Sequence, residues 1–174
     1  MKMNITRKEL VDYDATMNQS RNMIYHLIRF MKVNGLEGND VKQRLRLMGR
    51  NIAKSFHNYW KPVDQVNIVN VRDVIATMYK KIVNSSVSVE MDESQNLIVV
   101  RDSKCALCKY FYEDVGKFAG CEILLGMVSE LISLINNGSV SGSKILLIPQ
   151  EVSESLSYGD NACIQVFKYS RGGM

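Results

Sequence analysis

A chain of 174 residues, 46% hydrophobic and 23% charged, has the length and apolar content of one globular domain, which argues against disorder. No run approaches the roughly 18 apolar residues of a membrane-spanning helix. The opening "MKMNITRKEL" carries charges with no apolar stretch behind them, so no signal peptide is expected and the expected location is cytoplasmic.

The first half reads as helices. Ile24, Leu27, Ile28 and Met31 recur at helical spacing, and the Asn34-Gly35 pair ends that helix, because glycine readily takes the left-handed conformation of a helix C-terminus. Asn39 or Asp40 is placed to cap a second helix, striped by Val41, Leu45, Met48, Ile52 and Phe56, with Pro62 closing it. A third helix carries Val71, Val74, Ile75, Met78 and Ile82. Such stripes predict core first and ligand sites second.

The second half changes period. "SVSVEMD" alternates, with Val87, Val89 and Met91 on one face. "ESQN" supplies a turn, and "LIVVRD" returns with both faces apolar, so the pair predicts a hairpin. After a cysteine-bearing segment comes "CEILLGMVSELISLI", apolar on nearly all sides and therefore a buried helix. "NNGSVSGS" is a loop, and "KILLIP" and "ACIQVFKY" are two further strands. The order ααα-ββ-α-ββ predicts an α+β fold, helices packed on a four-stranded antiparallel sheet, as one domain over residues 1–174.

Four cysteines stand out: Cys105 and Cys108 as Cys-x2-Cys, then Cys121, then Cys163. A lone Cys-x2-Cys serves zinc, redox chemistry and iron–sulfur clusters alike. Zinc is favoured by three features. The pair follows a strand and can form a knuckle. Cys121 opens a helix, whose positive end favours thiolate. Cys163 is out of phase with Ala162, Ile164 and Val166. A reducing cytoplasm disfavours structural disulfides. Four thiolates with no open position would make a structural zinc. Buried free thiols and a redox pair are the competing readings.

Little else in the chain suggests chemistry. His26 and His57 lie in helical patterns far from the cysteines, and there is no Ser/His/Asp set, P-loop or GxGxxG. No enzyme is indicated. The charge is lopsided: residues 1–87 hold 15 Lys and Arg against 7 Asp and Glu, and residues 88–174 hold 7 against 11. A basic half fits either solvated helix faces or an anionic neighbour, an acidic protein face or an anionic membrane surface. Lys42, Arg46, Arg50 and Lys54 step by four and predict a surface ridge for such a neighbour, making the protein peripheral at a membrane. With no RNA-binding signature and no zinc-finger spacing, nucleic acid is not expected. Met23 and Phe30 lie outside the first helix's main stripe and predict a dimer.

The succession "LRLMGRNIAKSF", "VNVRDVIATMYKKI", hairpin, "CEILLGMVSELISLI" and two strands resembles the core subunits of the transport protein particle, TRAPP. It equally resembles the 4-vinyl reductase domain of the same superfamily, over residues 15–170. The TRAPP resemblance implies a non-enzymatic dimeric scaffold or tether in membrane trafficking, paired with itself or with a related subunit. The 4-vinyl reductase resemblance implies a small-molecule-binding sensor or accessory domain, whose recurring cysteines match Cys105, Cys108, Cys121 and Cys163. That family often has one more cysteine before the Gly-Asp, where Ser155 stands here. One TRAPP subunit carries an acyl chain on a cysteine between the second and third helices. Gln65 stands near that place, which excludes covalent acylation there. The stripes on helices two and four then either fill the core, the first reading, or line a tunnel for a noncovalent apolar ligand, with Met48, Ile52, Phe56, Leu124 and Val128 as its walls.

Overall fold

A computed structural model describes residues 7–60, 65–137 and 144–171 of the chain. The "MKMNIT" start, Pro62 and most of the "NNGSVSGS" loop lie outside the described residues. The elements run α1 (Arg7–Val33), α2 (Asn39–His57), α3 (Val71–Val83), β1 (Ser88–Asp92), β2 (Leu97–Asp102), α4 (Glu122–Asn137), β3 (Ile145–Glu154) and β4 (Cys163–Arg171). One short 3-10 turn, Leu156–Tyr158, joins the last two strands. The fold is α+β, with four helices on a four-stranded sheet of order β1-β2-β4-β3 whose neighbours are all antiparallel.

The local signals mostly act as expected. Gly35, at φ 81°, ends α1. In the β1–β2 hairpin the Asp92 carboxylate accepts from the amides of Ser94 and Gln95 at 2.9 and 3.1 Å, and Asn96 takes φ 56°. The expected cap of α2 is not used: Gly38 occupies the N-cap position without a side-chain bond, and Asn39 and Asp40 lie in the first turn.

The α4 helix, buried nearly all round, lies between α2 and strands β3 and β4. Its contact with α2 is close because both helices present glycine. A Cβ on Gly49 would stand 1.9 Å from the Ile123 carbonyl oxygen, and one on Gly126 would stand 2.0 Å from the Arg46 carbonyl oxygen. The face that α2 buries is therefore Val41, Leu45, Arg46, Gly49 and Ala53. Met48 and Ile52, expected in the core, are 37% and 38% exposed. On α1, Tyr25 is buried with Ile24, Ile28 and Met31, while Leu27 is 38% exposed.

The inward face of the sheet carries Ile98, Val100 and Asp102 on β2, opposite Phe167, Gln165 and Cys163 on β4. Ile164 and Val166 point to the other face and are half-buried. The phase of β4 is the one that brings Cys163 inside.

Candidate metal centre

The topology gathers the cysteines. The chain leaves β2 at Asp102 and turns through Cys105 and Cys108, whose backbone N–H bonds the Cys105 carbonyl at 3.4 Å. Asp102 is paired with Cys163 across the β2–β4 ladder, so the first residue of β4 lies beside the turn. Cys121 immediately precedes α4, and its carbonyl accepts from the amides of Leu124 and Leu125. The four Sγ atoms lie within 4.8 Å of one another, and all four residues are buried. For comparison, a tetrahedron of sulfurs about 2.3 Å from one ion has edges of about 3.8 Å.

The surroundings suit thiolate. The Cys121 backbone N–H donates to Cys108 Sγ at 3.3 Å, and Ser155 Oγ stands 3.4 Å from Cys163 Sγ. Ser155 is thus a neighbour of the sulfurs. Burial opposes ionising Cys108, yet hydrogen bonds from Cys105, Cys121, Cys163 and Ser155 outweigh it and hold that thiol well below its ordinary value. Cys105, bonded first of all to Cys108, goes well above its own, and so does Cys121, bonded to Cys105 and Cys108. A bound divalent cation is the group that lets all four ionise together. Tetrahedral sulfur is a donor set that zinc prefers, and the four residues present fit it.

One residue beyond Cys121, Glu122 is fully buried and paired with Arg46 at 2.7 Å. The Arg46 guanidinium also donates to the Gln150 carbonyl at 2.9 Å. Burial pushes the Glu122 carboxyl above its ordinary range, and Arg46 pulls it back. This corrects the expected surface ridge. Arg46 is 7% exposed, because that line of α2 runs under the start of α4 and β3. Lys42 is half-buried, and Arg50 and Lys54 are exposed.

The expected apolar tunnel is corrected in part. A cleft of about 470 Å³ opens between α1, α2, α3 and α4, lined among others by Met23, Leu27, Met48, Ile52, Leu107 and Leu124. Phe56 is not in its lining and packs on Trp60 with ring centroids 5.9 Å apart. Val128 is sealed in the core, also outside the lining. Leu107, in the lining, lies between Cys105 and Cys108. Met23 and Phe30 are 68% and 64% exposed. His26 is exposed, His57 is half-buried, and neither joins the cysteines. No helix among the described residues is long and apolar enough to cross a membrane.

Four helices on an open antiparallel sheet in this order give the chain a TRAPP-subunit-like fold. Among solved structures, a trafficking protein particle complex subunit 3 from Naegleria fowleri, covalently bound to palmitic acid, superposes with a TM-score of 0.63. It is 11% identical, and the match covers 93% of this chain and 97% of that one. No family model and no curated protein matches the sequence.

Proposed function

We propose that this protein is a non-enzymatic TRAPP-like subunit, a dimeric scaffold or tether in membrane trafficking, with a structural zinc on Cys105, Cys108, Cys121 and Cys163. The observation that carries the reading is the apolar surface this fold leaves open. Met23, Leu27 and Phe30 on α1 and Leu47, Met48 and Ile52 on α2 are all exposed. A partner helix pair laid there would bury them and roof the cleft. The second subunit is another copy of this chain or a related subunit. The site is cytoplasmic, peripheral to a membrane. Zinc held by four thiolates has no open position for a substrate, so its role is to hold the fold. This chain has Gln65 and no cysteine between α2 and α3. An acyl chain at that place would be held without a covalent bond.

Native mass spectrometry of the purified protein tests the reading. The expected species is a dimer with one zinc per protomer, and Met23→Glu with Phe30→Glu should give monomers. A monomer of 19.8 kDa at micromolar concentration removes the homodimer. In that case only a related subunit that restores a dimer on mixing keeps the scaffold reading.

The cleft supports a second reading, a small-molecule-binding sensor or accessory domain of the 4-vinyl reductase type. Its wall includes Leu107 of the cysteine knuckle, so an apolar ligand would touch the metal-bearing turn. An apolar molecule of stoichiometric mass in the same spectra favours this reading.

A further inference from the structure

The α1 helix is attached to the rest of the molecule in an unusual way. It lies against α2 far more loosely than α2 lies against α4. Its long-range side-chain bonds run mainly to one segment, the stretch from Ser103 to Cys121 that carries three of the four cysteines. Arg21, buried, donates to the carbonyl of Ala106, inside the Cys-x2-Cys turn, at 2.8 Å. The Tyr25 ring packs on Tyr112 with centroids 4.4 Å apart. Arg29 is paired with Asp114. Lys32 Nζ donates to the carbonyls of Asp114 and Val115 at 2.9 and 3.2 Å. The Tyr13 hydroxyl, bonded to the Val83 carbonyl at 2.7 Å, anchors α1 to the end of α3 instead.

That segment has no helix or strand of its own. Its internal backbone bonds are short-range turns, such as the Val115 and Gly116 amides on the Tyr112 carbonyl. A loop without a ladder must be ordered by something else, because fixing each residue costs about 1–2 kcal/mol of backbone entropy. A metal on the sulfurs of Cys105, Cys108 and Cys121 would pin it at both ends, and Cys163 would tie it to the sheet. Clips that close loops act on this entropy.

We propose that the metal centre is a latch for α1. With a metal on the four sulfurs, the 103–121 segment is a fixed platform and α1 is held on it through Arg21, Tyr25, Arg29 and Lys32. Without the metal the platform loosens, α1 lifts, and the apolar cleft opens along its α1 wall at Met17, Ile24 and Leu27. Because Met23, Leu27 and Phe30, three of the six exposed apolar residues offered to a partner, lie on α1, metal occupancy then sets both access to the cleft and competence for a partner. The inference rests on the proposed metal reading of the cysteines.

Hydrogen–deuterium exchange on the full chain, before and after chelation and with metal content measured by native mass spectrometry, tests the latch. The expected result is one metal per chain, with exchange over α1 and 103–121 rising on its removal by about tenfold or more. Exchange over α4 and β2–β4 should stay slow, and the fluorescence of anilinonaphthalene sulfonate should rise as the cleft opens. Arg21→Ala removes the bond to Ala106 but none of the sulfurs, so it should speed α1 exchange while the metal content stays at one. Absence of metal from the purified protein refutes the underlying site. Metal that binds and leaves with α1 exchange unchanged refutes the latch alone. So does loss of protection across α4 and the sheet together with α1, since the metal would then be a global stabiliser. Unchanged α1 exchange in Arg21→Ala counts against it as well.

Discussion

The Arg46 guanidinium and the Glu122 carboxylate form a buried ion pair at 2.7 Å that joins α2 to the first turn of α4. One carboxylate oxygen, Oε1, has no hydrogen-bond partner, so Arg46 is the charge on which Glu122 depends. Removing one member of such a pair leaves an uncompensated charge. Arg46→Ala should therefore cost about 3–5 kcal/mol, whereas Arg46→Met with Glu122→Leu should recover most of it. Denaturant unfolding of the three proteins measures this. The loss should also depend on pH. Burial raises the folded Glu122 pKa above its unfolded value, and losing Arg46 raises it further. A carboxyl shifted this way contributes stability that is full below the unfolded pKa and is lost as pH rises through the folded one. The gap between wild type and Arg46→Ala should then narrow on acidification from about pH 7 to about pH 5.

The helix crossing gives a second prediction. A methyl on Gly49 or Gly126 meets the backbone of the opposite helix at about half a normal contact distance. Backbone cannot swing aside as a side-chain tip can. Gly49→Ala and Gly126→Ala should each lose about 2 kcal/mol or more, despite alanine's better helix propensity. Unchanged melting temperatures would show that α2 and α4 cross farther apart.

How far the sequence speaks for the fold depends on what its patterns weigh. Element order and the sheet are legible because strand and helix periods differ and the turn residues separate them. The cysteine set is legible because cysteines are few, and their placement beside β2, α4 and β4 follows from element order. The buried face of α2 is not. Gly49 and Ala53 carry little apolar weight, so the stripe shifts onto Met48 and Ile52, which the glycine-backed crossing leaves outside. Arg46 reads as one step of a basic ridge because its partner, Glu122, is distant in sequence. On β4, Gln165 occupies the core face, where it accepts a hydrogen bond from the Tyr79 hydroxyl. Hydropathy assigns that face instead to Ile164 and Val166. Tyr25 and the α1 contacts to 103–121 lack a periodic signal because they join a helix to an irregular loop.

The proposed metal gives the third prediction. A site that hardly exists in the unfolded chain adds its binding energy to folding. Cys108→Ser should lower the melting temperature by about 10 °C or more, corresponding to a loss of roughly 4 kcal/mol in a chain of this size. Binding requires the raised Cys105 and Cys121 thiols to give up their protons, so metal affinity should fall steeply on acidification. Spectrometric metal content against pH, with melting curves on the same samples, checks both. Protein that is free of metal as purified and equally stable in Cys108→Ser removes the structural zinc.

The fourth prediction concerns the basic half. With Arg46 sealed against Glu122, the cations that α2 offers to an anionic surface are Arg44, Arg50 and Lys54, all exposed. Each cation near an anionic bilayer contributes about 1 kcal/mol, and the attraction fades within a Debye length of roughly 10 Å at moderate salt. Vesicles containing phosphatidylserine should therefore bind the protein weakly at low salt, lose it as salt rises, and show none of it when made of neutral lipid. The informative substitution is Arg50→Glu with Lys54→Glu. It reverses exposed charges, whereas reversing Arg46 would place two carboxylates in the core and unfold the protein. Loss of vesicle binding in a variant that melts like wild type and keeps its oligomeric state supports a membrane-facing α2. If the wild type ignores anionic vesicles even at low salt, the basic strip faces protein instead. An acidic partner subunit should then bind wild type and fail to bind the charge-reversed variant.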